Sequence, residues 1–237
     1  VDIPNFNGLE RGLAVDGAGG RVWYSDTSGN IYLVQMSDIL DGDPITPTVI
    51  TPPGDHNWYA LTWDPIDEVL WANHWSTGNL HIYTIDDAPP YTATFQFSYD
   101  NLPNSFNMFL DGMGFDPSTG TLWMSMDFSA NIWEVSRTPG IGGTANLVTH
   151  LVWPKRASGT VASFQHLWFT DPVTETVWST DKTLGNPVNY SYPIPDTNYE
   201  EAMEYDPHTL KEKGSSLLWV IDRYTVSGSS KIEAYIA

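Results

Sequence analysis

The chain of 237 residues carries 29 acidic and 10 basic side chains, a formal net charge of −19, and no cysteine. Nucleic acid and anionic membrane surfaces are therefore disfavoured as partners, because neutralising phosphates requires Lys and Arg. Disulfides, zinc–thiolate sites and thiol nucleophiles are excluded. The 41% of hydrophobic residues suffices for one sizeable core, but no apolar run approaches the roughly 20 residues that span a bilayer, so no membrane insertion is expected.

The first predicted elements are short strands between residues 11 and 35, and their pattern recurs along the chain. An apolar strand ends at Asp16, a turn follows, and the next strand contains Trp23, seven residues after the Asp. The same spacing occurs in three further places and a longer fifth copy follows them: Asp64 to Trp71, Asp116 to Trp123, Asp171 to Trp178 and Asp206 to Trp219. The chain is therefore a fivefold repeat.

A repeat of about four strands is typical of a propeller blade, which buries its faces only against neighbouring blades. We predict an all-β fold with a single domain over residues 1–237, a five-bladed β-propeller of four-stranded antiparallel blades. The predicted blades cover residues 11–52, 59–103, 112–154, 165–195 and 200–237. Residues 1–7 (VDIPNFN) resemble residues 192–198 (YPIPDTN), and this N-terminal strand is predicted to complete the last blade and close the ring.

Tryptophans fall into two groups that predict different roles. Those at the repeat position occupy equivalent places in successive blades, so we expect them to pack between blades. Trp58 and Trp75 lie outside that position, in two loops of blade two. With Asn57, Tyr59 and His74 they predict a ligand-binding surface, because aromatic rings stack on sugar faces while amide groups bond hydroxyls.

Strand direction predicts which side chains share one face of the propeller. The inner and second strands of a blade are antiparallel, so the start of one and the end of the other lie at the same channel mouth. Five carboxylates occupy such positions: Asp26, Asp111, Asp181, Glu201 and Asp222. Converging carboxylates suit a hard cation, so the pattern predicts Ca²⁺ or Mg²⁺, and no organic cofactor is indicated. The alternative is that these side chains are solvated strand ends.

One repeat carries a family resemblance. The segment Val22–Asp26 (VWYSD), followed by Gly29–Ile31 (GNI), resembles the repeat of virginiamycin B lyase (streptogramin lyase) and related propellers, including the gluconolactonase-like group. The resemblance implies a catalytic His where an inner strand begins and an acidic Mg²⁺ ligand where the second strand ends. The matching residues are His166 and Asp181, which would perform a ring-opening elimination.

Three functions remain open on this evidence. The aromatic residues outside the repeat favour a recognition module that binds a glycan, a small molecule or an extracellular partner through the face where the inner strands begin. The acidic ring allows a metal-dependent lyase or lactonase-type enzyme. An exchangeable N-terminal strand allows a structural subunit that assembles with other extracellular subunits.

The location of the protein is predicted from composition. Few Lys residues, many Ser, Thr, Asn and Tyr residues and a first residue other than Met favour an exported, processed chain. One glycosylation sequon, Asn189–Ser191, agrees with this interpretation. We expect an extracellular or cell-surface protein.

Overall fold

The computed structural model describes residues 10–26, 29–42, 45–54, 58–74, 77–99, 110–126, 129–138, 145–171, 174, 176–191, 199–223 and 231–237. In these residues 19 strands form five antiparallel sheets, with one short helix α1 (Met36–Leu40) and a 3₁₀ turn at Lys211–Lys213. None of the helical segments described here is long and apolar enough to cross a membrane.

Each sheet is one blade, and its strands follow chain order from the axis outward. Blade one contains β1 (Glu10–Asp16), β2 (Arg21–Asp26), β3 (Ile31–Gln35) and β4 (Thr48–Ile50). Blade two contains β5 (Trp58–Asp64), β6 (Val69–His74), β7 (Leu80–Ile85) and β8 (Ala93–Tyr99). Blade three contains β9 (Leu110–Asp116), β10 (Thr121–Met126), β11 (Asn131–Ser136) and β12 (Asn146–Val152). Blade four contains β13 (Thr160–Ala162), β14 (His166–Asp171), β15 (Thr176–Asp181) and β16 (Val188–Ser191). Blade five contains β17 (Tyr199–Asp206), β18 (Leu217–Arg223) and β19 (Lys231–Ile236).

The repeated Asp and Trp are joined by hydrogen bonds in blades three and five. In blade three, Asp116 Oδ1 accepts the backbone N–H of Ser118 at 2.8 Å and closes the turn, while Oδ2 accepts Trp123 Nε1–H at 3.0 Å. In blade five, Trp219 Nε1 donates to Asp206 Oδ2 at 3.3 Å. In the other copies that the structure describes, the indole N–H groups of Trp23, Trp71 and Trp178 have no hydrogen-bond partner among the described residues, so the bond is a feature of blades three and five.

The five inner strands contact one another in a closed ring around the axis. Adjacent inner strands are parallel, as Gly112 lies against Thr160 and Gly114 against Val161. This approach requires glycine, since a Cβ at Gly112 would lie 2.1 Å from the Thr160 nitrogen. All inner strands therefore run from one face of the disc, here named the start face, to the other, named the turn face because it carries Asp16, Asp64, Asp116 and Asp206.

The hydrophobic core consists of five clusters, each between two neighbouring blades. Four repeat tryptophans are fully buried in these clusters: Trp23, Trp71, Trp123 and Trp219. The predicted packing role is confirmed for these four, and half-buried Trp178 packs against the cluster between blades three and four. The predicted all-β, five-bladed propeller is confirmed as well.

Blade four differs from the sequence prediction in one strand. Its predicted range begins at residue 165, but the innermost strand is β13, which starts at Thr160. The Asp171 to Trp178 repeat therefore spans strands two and three rather than one and two. The three residues of β13, TVA, are too few to show the repeat pattern. The Asp–Trp spacing occurs instead in the next hairpin, formed by β14 and β15.

The predicted closure of the ring by residues 1–7 lies outside the described residues. Blade five has three strands in the part of the chain that the structure describes, and β19 is the outermost of them. Strand addition by the N-terminal segment stays a prediction.

Candidate ligand-binding site

The predicted carboxylate ring is divided between the two faces. Asp26 ends β2, and Asp222 lies near the end of β18, so both residues are at the start face. Asp111 and Glu201 lie near the starts of β9 and β17, at the same face. Both are the extra residue at a register shift in their sheet, and such bulges redirect side chains. The side chains of Asp111, Glu201 and Asp222 lie outside the described part of the structure.

His166 and Asp181 lie on the turn face instead. They are opposite each other in the pairing of β14 with β15, which are the second and third strands of blade four. The neighbouring Lys182 confirms the face, because its Nζ lies 2.6 Å from Asp116 Oδ2 at the end of β9. The pair predicted from the lyase resemblance is therefore separated from Asp26 by the thickness of the propeller.

The carboxylate of Asp181 is occupied by its own loop. Oδ1 accepts the Thr183 hydroxyl at 2.6 Å and the backbone N–H groups of Thr183 and Gly185 at 2.9 and 2.8 Å. Oδ2 accepts Asn186 Nδ2–H at 3.1 Å. The hydroxyl and backbone N–H of Thr183 hold the pKa of Asp181 below its usual value. Four donors from its own loop therefore orient the Asp181 carboxylate, and its role as a metal ligand stays a prediction.

No group of three His, Asp or Glu side chains in the described residues is arranged to hold a metal ion. At the start face, Asp26 Oδ2 accepts the Tyr32 hydroxyl at 2.7 Å. A single cation site at the start face could draw only on Asp26, Asp111, Glu201 and Asp222 from the predicted set, and such a site stays a prediction.

Calorimetric titration with Ca²⁺ and Mg²⁺ tests the cation prediction. We expect Asp26→Asn to weaken any measured affinity tenfold or more, since a ligand charge is lost from the start face, at a cost of about 1.4 kcal/mol per factor of ten. Asp181→Asn is the control and should leave affinity unchanged, because it lies on the turn face. Equal loss in both variants, or no heat at millimolar cation, would contradict a start-face site.

Trp58 and His74, two members of the predicted aromatic surface of blade two, are buried in the interior of the protein. Trp58 is 0% exposed, and its ring meets the rings of His74 and His81 edge-on at 5.7 and 5.3 Å. His74 is buried too, with Nδ1 3.1 Å from the Thr77 hydroxyl. Burial leaves Trp58 no ring face for a ligand. Asn57, Trp75 and the side chain of Tyr59 lie outside the described residues.

An open crevice between blades four and five gathers a different set of aromatic residues. Its volume is 240 Å³, and the described residues that line it are Ser163, Phe164, Gln165, His166, Trp168, Tyr205, Ser216 and Ala237. The β13–β14 hairpin supplies Phe164, which meets Tyr205 of blade five edge-on at 6.3 Å. Trp168, two residues into β14 from His166, continues the aromatic surface outward to Tyr190, with ring centroids 5.4 Å apart.

The crevice combines exposed rings with a fixed hairpin. Phe164 is 53% exposed, and His166 and Tyr190 are exposed as well. Ser163 Oγ accepts the Trp168 Nε1–H at 3.3 Å and the His166 backbone N–H at 3.2 Å, so the hairpin orients both residues. None of the described lining residues is Lys, Arg, Asp or Glu. Planar apolar surfaces with neutral polar edges suit an uncharged, hydroxyl-rich ligand.

The sequence prediction included His166 but missed Phe164, Trp168 and Tyr205. Trp168 could have been predicted as a binding residue from the sequence, because it lies outside the repeat position, as Trp58 and Trp75 do. Phe164 had no signal, since nothing in its local sequence reports that its ring is left exposed.

These features define the protein as a five-bladed β-propeller with an aromatic crevice on its turn face. No protein-family model matches the chain, and no curated protein matches it. Among solved structures, glutaminyl cyclase from Myxococcus xanthus is similar over 100% of this chain and 95% of its own, with 12% identity and a TM-score of 0.62.

Two further solved structures share the fold. A chain of a nidogen–laminin complex matches over 95% of this chain and 79% of its own, with 14% identity and a TM-score of 0.53. Streptogramin B lyase matches over 99% of this chain and 70% of its own, with 14% identity and a TM-score of 0.50. The resemblance predicted from the VWYSD repeat is thus confirmed, at the level of the fold.

Proposed function

We propose that the protein is an extracellular recognition module that binds a neutral glycan in the crevice between blades four and five. The observation that carries this proposal is the set of aromatic rings in and beside the crevice, namely the pair Phe164 and Tyr205 and the pair Trp168 and Tyr190. It replaces the blade-two aromatics of the sequence prediction, whose described member Trp58 is buried.

The chemistry of the lining supports a sugar. The C–H face of a pyranose stacks on an aromatic ring, and Gln165, His166 and Ser216 offer donors and acceptors for its hydroxyls. A neutral sugar is favoured over an acidic one because the described lining has no cation and the chain carries a net charge of −19, which repels anions.

Glycan binding is tested by substituting Phe164, whose exposed ring lines the crevice. We expect Phe164→Ala to weaken binding of a neutral oligosaccharide, selected on an array, about tenfold or more, the loss of roughly 1.4 kcal/mol of stacking. Titration calorimetry provides the measurement. His166→Ala should weaken it as well, through a lost hydrogen bond.

Phe95→Ala is the matched control, because Phe95 is 43% exposed but lies on β8 of blade two. This variant should bind like the wild type. A Phe95→Ala loss as large as that of Phe164→Ala would contradict the proposed site, and an array on which only acidic glycans bind would contradict the proposed ligand class.

A further inference from the structure

A small cavity lies on the propeller axis, where the inner strands end at the turn face. Its volume is 40 Å³, and residues of β1, β5, β9 and β17 line it together with the turns that follow these strands. The lining includes half-buried Pro117 and Pro207 and exposed Pro65. One water molecule needs a cavity of about 10–15 Å³, so this cavity has room for a few heavy atoms and is too small for a sugar ring.

Glu204 lines this cavity and departs from the repeat. Two residues before the repeat Asp, the other inner strands that end in one carry Ala14, Thr62 and Gly114, whereas β17 carries Glu204. The Glu204 side chain is buried. Burying a charged group is costly unless it is paired. A carboxyl group at a position that is small and uncharged in the other three strands therefore indicates a role in binding.

The hydrogen bonds of Glu204 leave room for one further donor. Oε2 accepts the Thr62 hydroxyl at 2.7 Å, and Oε1 accepts the Tyr205 backbone N–H at 3.3 Å. The backbone N–H of Trp63 is a third donor. All three donors are neutral, and a carboxylate offers about four acceptor sites. Burial, with the nearby charge of Asp206, raises the pKa of Glu204 well above its usual value, as expected for a carboxyl group that lacks a cation.

The neighbouring repeat carboxylate, Asp206, also lines the cavity and lacks a cation. The repeat carboxylates of the other three inner strands each pair with one: Asp16 with Arg21 at 2.7 Å, Asp64 with Arg137 at 3.0 Å and Asp116 with Lys182 at 2.6 Å. Asp206 instead accepts neutral donors from His208, Thr209 and Trp219. Within the described ranges, no Lys or Arg pairs with Asp206 or Glu204.

We propose that this axial cavity binds a primary ammonium group, which forms an ion pair with Glu204. An ammonium N–H fills the remaining acceptor site of the carboxylate, and the charge of Asp206 adds to the attraction. Glu204 releases its proton to solvent when the ammonium binds. Pro65, Pro117 and Pro207 offer apolar surface to the alkyl chain that carries the group. An ammonium is favoured over a metal ion because no three His, Asp or Glu side chains of the described residues are arranged to hold a metal.

The ammonium site goes beyond glycan recognition and does not rest on it. The cavity lies on the axis, whereas the crevice lies between blades four and five, although Tyr205 lines both. Two sources supply the same group on the same kind of alkyl chain, a small free amine and a lysine side chain of a partner protein. The net charge of −19 draws either of them to the surface.

Titration calorimetry of the full chain with n-butylamine at pH 8 tests the site. A primary amine is protonated there, since the pKa of a lysine side chain is about 10.4. We expect millimolar binding, which Glu204→Gln should weaken about tenfold or more, because an amide forms no ion pair. Glu134→Gln is the matched control and should bind like the wild type. Glu134 is also buried and accepts a threonine hydroxyl at 2.7 Å, but it lies on β11.

Two further ligands make the test independent of any variant. n-Butanol has a similar shape without the charge, and tetramethylammonium has the charge without an N–H donor, so neither should bind at concentrations that saturate the site with n-butylamine. A lysine peptide with a blocked N-terminus distinguishes the sources, because tighter binding than n-butylamine assigns the group to a partner protein and weaker binding to a free amine. No heat with either amine, equal loss in both glutamine variants, or equal binding of tetramethylammonium would overturn the proposal.

Discussion

Asp116→Ala is expected to lower the free energy of unfolding by about 3–5 kcal/mol, the usual cost of removing one partner from a buried ion pair. The Asp116 carboxylate is fully buried and joins three parts of the fold. It closes the β9–β10 turn through Ser118, accepts Trp123 Nε1–H at 3.0 Å, and pairs with Lys182 of blade four at 2.6 Å. Its removal leaves buried donors without an acceptor.

Urea unfolding followed by tryptophan fluorescence at pH 7 measures this loss. Asp87→Ala is the control, since Asp87 is also an ion-pair acid but is almost fully exposed in its contact with Arg21. It should cost less than about 1 kcal/mol. A similar loss of unfolding free energy in both variants would contradict the prediction that Asp116 holds these three parts of the fold together.

Because the pKa of Asp116 is lowered in the folded protein, we also expect the protein to lose stability in acid. Burial alone would raise the pKa of Asp116, but the bonds from Lys182 and Ser118 outweigh it and hold the pKa below its usual value. A lowered pKa in the folded state means that stability is present at neutral pH and decreases as pH falls below the usual Asp range. Asp116→Ala should show less of this acid-side decrease.

Glu204→Gln is expected to stabilise the protein at pH 8, by about 1–3 kcal/mol, the typical desolvation penalty of a buried polar or charged group. Glu204 lies near the axis, is buried, and accepts the Thr62 hydroxyl of blade two at 2.7 Å. Burial, with the nearby charge of Asp206, raises the pKa of Glu204 well above its usual value despite the bond from Thr62. At a pH between the usual Glu range and the raised value, the folded chain therefore holds a proton on Glu204 that the unfolded chain has lost.

The sign of the pH dependence follows from that proton. A raised pKa of an acid means that stability is greatest below the usual Glu range and decreases as pH rises toward the raised value. The Gln side chain of Glu204→Gln does not ionise over this pH range. The variant should therefore be as stable as the wild type near pH 4 and more stable than the wild type at pH 8. Thermal unfolding from pH 4 to pH 8 measures the difference.

Glu134→Gln is the matched control for this measurement. Glu134 is also buried and accepts a threonine hydroxyl, that of Thr121, at 2.7 Å. Unlike Glu204, it lies on β11 rather than an inner strand. Parallel changes of stability with pH in both variants would show that the effect does not come from the axial carboxylate.

The sequence by itself determined the architecture of this protein. The Asp–Trp spacing marks a hairpin, with the Asp at the turn and the Trp on the next strand, as Asp116 and Trp123 show. Both residues lie within one hairpin, so the pattern is local and can be read from spacing. Five copies then require five blades, since each sheet buries its faces only against its neighbours.

Only the tertiary structure decided which residues form the site. His166 and Asp181 match the repeat locally, but the insertion of β13 inside them moves both to the turn face. Trp58 lies outside the repeat, yet packing against His74 and His81 buries it, whereas Phe164 stays exposed. The exposure of a side chain, and the face of the propeller on which it lies, depend on the strands that pack against it. Those strands are distant in the sequence, so local spacing carries no information about either property.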